Sequence, residues 1–171
     1  MGALSALSAP WGSPMDTATR LELVELIRGR GIAALGTLHA GSPLVSMVLY
    51  AASPDLSAVF IHVSRLAQHT VGLLGDRRVG LLIAEPDRPN RNPLSMARVS
   101  IQADAEPLEV GSPEYEQART AYLAAHPATA FNFELGDFLL VRVRPTSARF
   151  VAGFGKIVDI DAEEWAVLAG E

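Results

Sequence analysis

From Ala97 to Ala105 the chain alternates without a break. Ala97, Val99, Ile101, Ala103 and Ala105 fall on one side, and Arg98, Ser100, Gln102 and Asp104 on the other. Successive side chains of a strand point to opposite faces, so this two-residue period predicts a strand with its apolar side turned inward. Around it lie further strand-like runs. Segments 32–38 and 43–51 flank the turn His39-Ala40-Gly41-Ser42, for which a hairpin is the simplest pairing. Segment 58–63 is β-branched and aromatic, and 79–84, 138–143 and 148–154 complete the set.

Helical spacing is confined to short stretches between these runs. It predicts an amphipathic helix over 17–28 ended by Gly29 and Gly31, a short one over 66–74 closed by Gly75, one over 113–126, and one over 161–168 capped by Asp161. Prolines 86, 89 and 93 mark a loop. Helices do not alternate regularly with strands and no G-x-G-x-x-G opens one, so a doubly wound α/β fold fits poorly. The fold class predicted is mainly β: an antiparallel barrel of six or seven strands with helices on its rim.

With 171 residues, 49% of them hydrophobic, the chain suits one domain with a full core. We read 1–16, rich in Ala, Ser, Gly and Pro, as a flexible arm in which Trp11 is the possible anchor, and 17–171 as the single domain. A net charge of -5 with scattered basic residues argues against nucleic acid as the partner. No cysteine is present, which excludes thiolate metal sites and cysteine nucleophiles and fits a reducing, cytoplasmic setting. No apolar run approaches the length of a membrane span, so a soluble protein is expected.

Chemistry is concentrated where segment 58–63 gives way to the short helix. Ser64, Arg65, His69 and Thr70 follow one another there. Free N–H groups at such a junction favour an anion, hydroxyls add donors, and a guanidinium fork matches two phosphate oxygens. Equally, Ser64 can be a plain helix cap. Ser46 is the one small polar side chain in the apolar run 44–50, a surface suited to a flavin ring or a place where a hydroxyl simply bonds a neighbouring carbonyl.

His39, His62, His69 and His126 form no metal-type pair, so no metal site is predicted; His39 and His126 are expected at the surface and His62 in the core. No G-x-S-x-G elbow exists and no catalytic residue is identified. Arg98 either reaches a cofactor phosphate across a dimer interface or solvates an outward face. Gly153-Phe-Gly155-Lys156 permits a close backbone approach or a tight corner.

Five blocks in order, 36–46, 64–70, Arg78-Val79, 93–99 and 148–155, resemble the pyridoxamine 5'-phosphate oxidase-like FMN-binding split barrels, most of all the branch with haem-utilisation proteins. The resemblance implies a six-stranded split barrel working as a homodimer, with FMN at the subunit interface. It carries cofactor contacts onto Ser46, Met47, Val48, Val63, Ser64, Arg65, His69, Thr70 and Arg98. Where the family often has Asn and Ser, this chain has Gly72 and Gly80, which would remove ligand hydrogen bonds. Basic residues for a pyridoxamine phosphate substrate are not found.

A cytoplasmic FMN-binding flavoprotein, an oxidoreductase of unread substrate, is therefore the leading expectation. A haem-binding or haem-utilisation protein is the alternative, and a non-catalytic flavin-binding module the third. Haem ranks second because haem-degrading members carry a further C-terminal portion supplying a histidine to iron, and the sequence ends at Glu171.

Overall fold

The computed structural model describes residues 15–90, 92–153 and 156–169. In chain order it contains helix α1 (Thr17–Arg28), strands β1 (Ile32–His39), β2 (Ser42–Ala52) and β3 (Val59–Ser64), helix α2 (Gln68–Gly75), strands β4 (Arg78–Ala84) and β5 (Arg98–Pro107), helix α3 (Pro113–Ala125), strands β6 (Phe138–Val151) and β7 (Ile157–Ile160), and helix α4 (Ala162–Ala169). Single 3-10 segments cover Pro93–Ser95 and Pro127–Glu134. In β5 the two-residue period acts as strand geometry requires: Val99, Ile101, Ala103 and Ala105 are buried, while Ser100, Gln102 and Asp104 are exposed.

All pairings are antiparallel, and the order β3-β2-β1-β4-β5-β6 closes on itself through a β3–β6 ladder. The result is a six-stranded barrel with helices on its flanks. Closure gives every strand of the ring a partner on both sides over at least part of its length. β1 and β2 are joined by a two-residue turn in which Ala40 and Gly41 both have positive φ, 49° and 76°. That turn matches the twist of the strands it joins, and Gly41 adopts it without steric cost.

β6 was expected as two strands, 138–143 and 148–154, but it is one strand of 14 residues. Its register against β5 slips between Gln102 and Ala103, opposite Ser147 and Pro145. Pro145 thus sits at a bulge, where the donor it lacks is missed least. The first half of β6 pairs with β3, Phe138 with Ser64 through Val143 with Val59, and its end pairs with β7, Ala148 with Ile160 through Val151 with Ile157. β7 was not expected; it takes the edge of β6 where β3 leaves off.

Inside the barrel, Leu35, Ile61, Ile83, Val99 and Phe150 are fully buried, and α1 and α4 contribute Leu23, Ile27 and Trp165 to the same core. Two buried polar tips fix these helices. The Tyr50 hydroxyl donates to the Ile27 carbonyl at 2.6 Å, and Trp165 Nε1 donates to the Leu56 carbonyl at 3.0 Å. Burial raises the Tyr50 pKa. A second cluster lies outside the ring, where Phe60 and Leu140 are covered by Tyr115, Ala118 and Tyr122 of α3. Burying each such aromatic is worth about 2–3 kcal/mol.

α1 begins as predicted at Thr17, capped by Asp16, whose carboxylate accepts from Thr19 N and Oγ1, each at 2.9 Å. α2 starts at Gln68, later than the spacing of 66–74 suggests, and Leu66 is left 85% exposed. Of the arm read over 1–16 only Met15 and Asp16 are described; Trp11 lies outside the described residues, as do Phe154 and Gly155. Among the described residues no helix is long and apolar enough to cross a membrane.

Candidate ligand-binding site

β2 and β3 are hydrogen-bonded only from Tyr50–Ile61 to Ala52–Val59. Beyond Tyr50, β2 runs on paired with β1 alone, while β3 runs on to Ser64 paired with β6. The two strands therefore fork. Ser46, Met47 and Val48 lie on one side of the fork, Val63, Ser64 and Arg65 on the other. Val48 and Val63 turn into the core at 5% and 4% exposure, Ser46 is half-buried, and Met47 faces outward at 71%.

At the end of β3, Ser64 Oγ donates to Asp137 Oδ2 at 2.6 Å and accepts from the Leu66 N–H at 3.1 Å. The Arg65 N–H donates to the Asp137 carbonyl at 2.7 Å. Ser64 is therefore not the cap of α2: that position is Ala67, which offers no side-chain acceptor. The single hydroxyl proton of Ser64 is already used. The Arg65 side chain is exposed and engages no partner among the described residues.

Thr70 and His69 sit on α2. Thr70 and Leu73, three residues apart on one face of the helix, are both buried, and Thr70 has no partner for its hydroxyl. Thr37 Oγ1, also buried, is likewise unpaired. Contact between α2 and β1 is tight: a Cβ on Gly72 would stand 2.8 Å from the Leu38 carbonyl, so only glycine permits this packing. His69 is half-buried, and burial lowers its pKa, which favours the neutral ring.

Across the outer side of β2, β1 and β4 runs an uncovered surface. Val45 and Met47 are each 71% exposed, with Ile32 and Leu82 beside them. Gly36 and Gly80 face each other in register and give it a floor without side chains. Two open clefts of about 740 and 640 Å³ lie along it, the first reaching Gln102 and Arg149, the second reaching Ser46 and Pro86.

Arg98 is elsewhere. It pairs with Ala84 and Val151, at the opposite end of β6 from the Ser64–Phe138 pair, roughly 40 Å of extended strand away. Its guanidinium donates to the Met96 carbonyl at 3.1 Å. At the Gly153 corner, Lys156 pairs with Asp16 at 2.7 Å and so faces the start of α1 rather than the fork.

His62 and His126 have structural settings, and His39 is half-buried at the end of β1. His62 stacks on Phe133 at 3.8 Å with Tyr122 and Phe138 around it, and burial holds its pKa down to about 4. His126, expected at the surface, is half-buried with Nε2 2.7 Å from the Tyr50 carbonyl, because α3 ends directly over β2. Among the described residues no group of three or more His, Asp or Glu side chains is arranged for a metal ion.

No family model matches the chain. In an alignment of 145 residues that covers 81% of its length, it is 37% identical to the non-canonical heme oxygenase HOZ, chloroplastic, of Arabidopsis thaliana. The structure of a heme binding protein from Mycobacterium smegmatis superposes with a TM-score of 0.77 at 29% identity over 86% of this chain. A protein from Clostridium acetobutylicum related to general stress protein 26, of the pyridoxinephosphate oxidase family, shares the fold with a TM-score of 0.66 at 12% identity, covering 88% of this chain and 99% of its own. By its fold the chain is of the pyridoxamine 5'-phosphate oxidase-like split-barrel type. It spans 43% of the Arabidopsis protein and 60% of the mycobacterial one.

In this split barrel the residues singled out by sequence are only partly brought together. Ser46, Met47, Ser64 and Arg65 flank the fork, and His69 follows on α2. Val48, Val63 and Thr70 are core residues in the single chain, and Arg98 lies at the other end of β6 from Ser64. Asp137 is the member of the site that sequence reasoning missed. It is 73 residues from Ser64, and no local pattern marks it.

Proposed function

We propose that this split-barrel protein binds haem, as a homodimer, beside the fork between β2 and β3. The observation that carries the reading is the Ser64–Arg65 corner, where the Arg65 guanidinium has no partner among the described residues and the Ser64 hydroxyl proton is taken by Asp137. Such a corner suits a carboxylate, as on a haem propionate, better than a dianionic phosphate. Arg65 would hold the carboxylate, Met47 and the glycine floor would receive a flat apolar ring, and the neutral ring of His69 is the nearby nitrogen able to ligate iron. When bound, haem supplies a redox-active iron. The haem-named relatives support the same choice.

The proposed second copy packs on the uncovered face, where Val45 and Met47 lie bare, and would bring Arg98 of the partner subunit toward the Ser64–Arg65 corner, from which Arg98 of the same chain is separated by the length of β6. FMN is the second reading, favoured by the position of Arg65 at a strand-to-helix corner.

Hemin titration followed in the Soret band tests the proposal. A saturable change at micromolar hemin is expected, weakened roughly tenfold by Arg65→Ala and altered in band position by His69→Ala. No saturable change sinks it, and quenching of FMN fluorescence at micromolar protein would move the assignment to flavin. A stable monomer in sedimentation at micromolar concentration would overturn the dimer.

A further inference from the structure

We infer that Asp137 sets the charge class of ligand this corner accepts, excluding dianionic phosphate head groups. The inference rests on the reading that the Ser64–Arg65 corner anchors the ligand. Asp137 meets that corner twice: its backbone carbonyl takes the Arg65 N–H at 2.7 Å, and its carboxylate takes the Ser64 hydroxyl proton at 2.6 Å. The first contact fixes the turn. The second puts a negative charge within hydrogen-bond reach of the hydroxyl that a phosphate would need.

The consequence is electrostatic as well as steric. Asp137 and Arg65 meet through their backbones, the formal charges of their two side chains sum to zero, and the half-buried His69 adds no firm positive charge because burial favours its neutral form. A dianion arriving here meets a like charge at close range and finds the Ser64 proton taken. A single carboxylate needs only the guanidinium. Thr70, the other hydroxyl of the segment, is buried against β1 and cannot compensate.

The test compares FMN with riboflavin, which differ by the phosphate alone, using flavin fluorescence quenching on the full chain. Asp137→Asn removes the charge and keeps an acceptor for Ser64; Asp137→Ala also frees the hydroxyl proton. The ratio of FMN to riboflavin affinity is expected to rise roughly tenfold in Asp137→Asn and further in Asp137→Ala, and adding Arg65→Ala should erase the gain. A merely structural role would weaken both flavins together.

An unchanged ratio in variants with native circular dichroism and melting temperature overturns the inference. Should Asp137→Ala fail to fold, the near-isosteric Asn variant carries the test. Hemin titration of the unaltered protein judges the haem reading separately, since a gain in the flavin ratio does not depend on haem binding.

Discussion

On the outer side of β3 and the first half of β6, Phe60, His62 and Leu140 lie beneath α3 and Phe133. On the outer side of β1, β2 and β4, Val45 and Met47 stand 71% exposed, with no helix over them among the described residues. Both surfaces are apolar and belong to the same ring. The difference is that the chain carries a cover for the first, held by the Ser112 cap and by Arg142 bridging Glu106 and Glu114, and none among the described residues for the second. An apolar sheet face without an internal cover is where a partner is accommodated. The covered face should therefore govern monomer stability, and the bare face association.

The largest effect that separates the two is truncation. Phe60→Ala, which opens a cavity under α3, should cost about 3–5 kcal/mol in urea unfolding with an unchanged slope, whereas Met47→Ala should stay within about 0.5 kcal/mol. Comparable losses would mean that the bare face is not bare in solution. Next comes charge insertion. Val45→Asp with Met47→Asp should shift the sedimenting species from dimer to monomer, weakening association about a hundredfold or more, while the melting of the monomer is retained.

A smaller effect comes from His62. Burial holds its folded-state pKa near 4, whereas its ordinary value is 6.5. Below that ordinary value the unfolded chain takes up a proton that the folded one refuses. Stability should therefore be full above about pH 6.5, fall as the pH drops, and level off near pH 4, with a loss of about 1–2 kcal/mol given the ring's part exposure. His62→Phe should flatten that acid limb, and parallel curves for the two proteins would contradict the stacked, neutral ring. Smallest is Ser112→Ala, whose hydroxyl accepts from the Tyr115 N–H at 3.1 Å. Losing this cap should cost about 1 kcal/mol, read as a small drop in urea midpoint.

The same contrast explains what was legible beforehand. The barrel could be read because its strands carry their burial in a local period, as Val99 to Ala105 do, and α1 because its amphipathic run is ended by Gly29 and Gly31. β7 could not, since four residues after a turn hold too little alternation to register. Ser64 and Arg65 were recognisable by chemical type, but their engagement depends on Asp137, which only barrel closure brings to them. The helical spacing of 66–74 already puts Thr70 and Leu73 on one face, and both are buried; Leu66 shares that spacing but stands before the first turn of α2 and is exposed. Arg98 shows that a residue can match a family block and still stand at the opposite end of a strand.

Ring closure has a temporal consequence. Because β3 finds its partner in β6, with Val59 opposite Val143, a chain emerging from the ribosome holds β3 with one exposed edge until nearly all of the sequence has been synthesised. Contacts so distant along the chain make for slow folding, and the nascent protein passes through a long interval in which a chaperone has an open strand to protect.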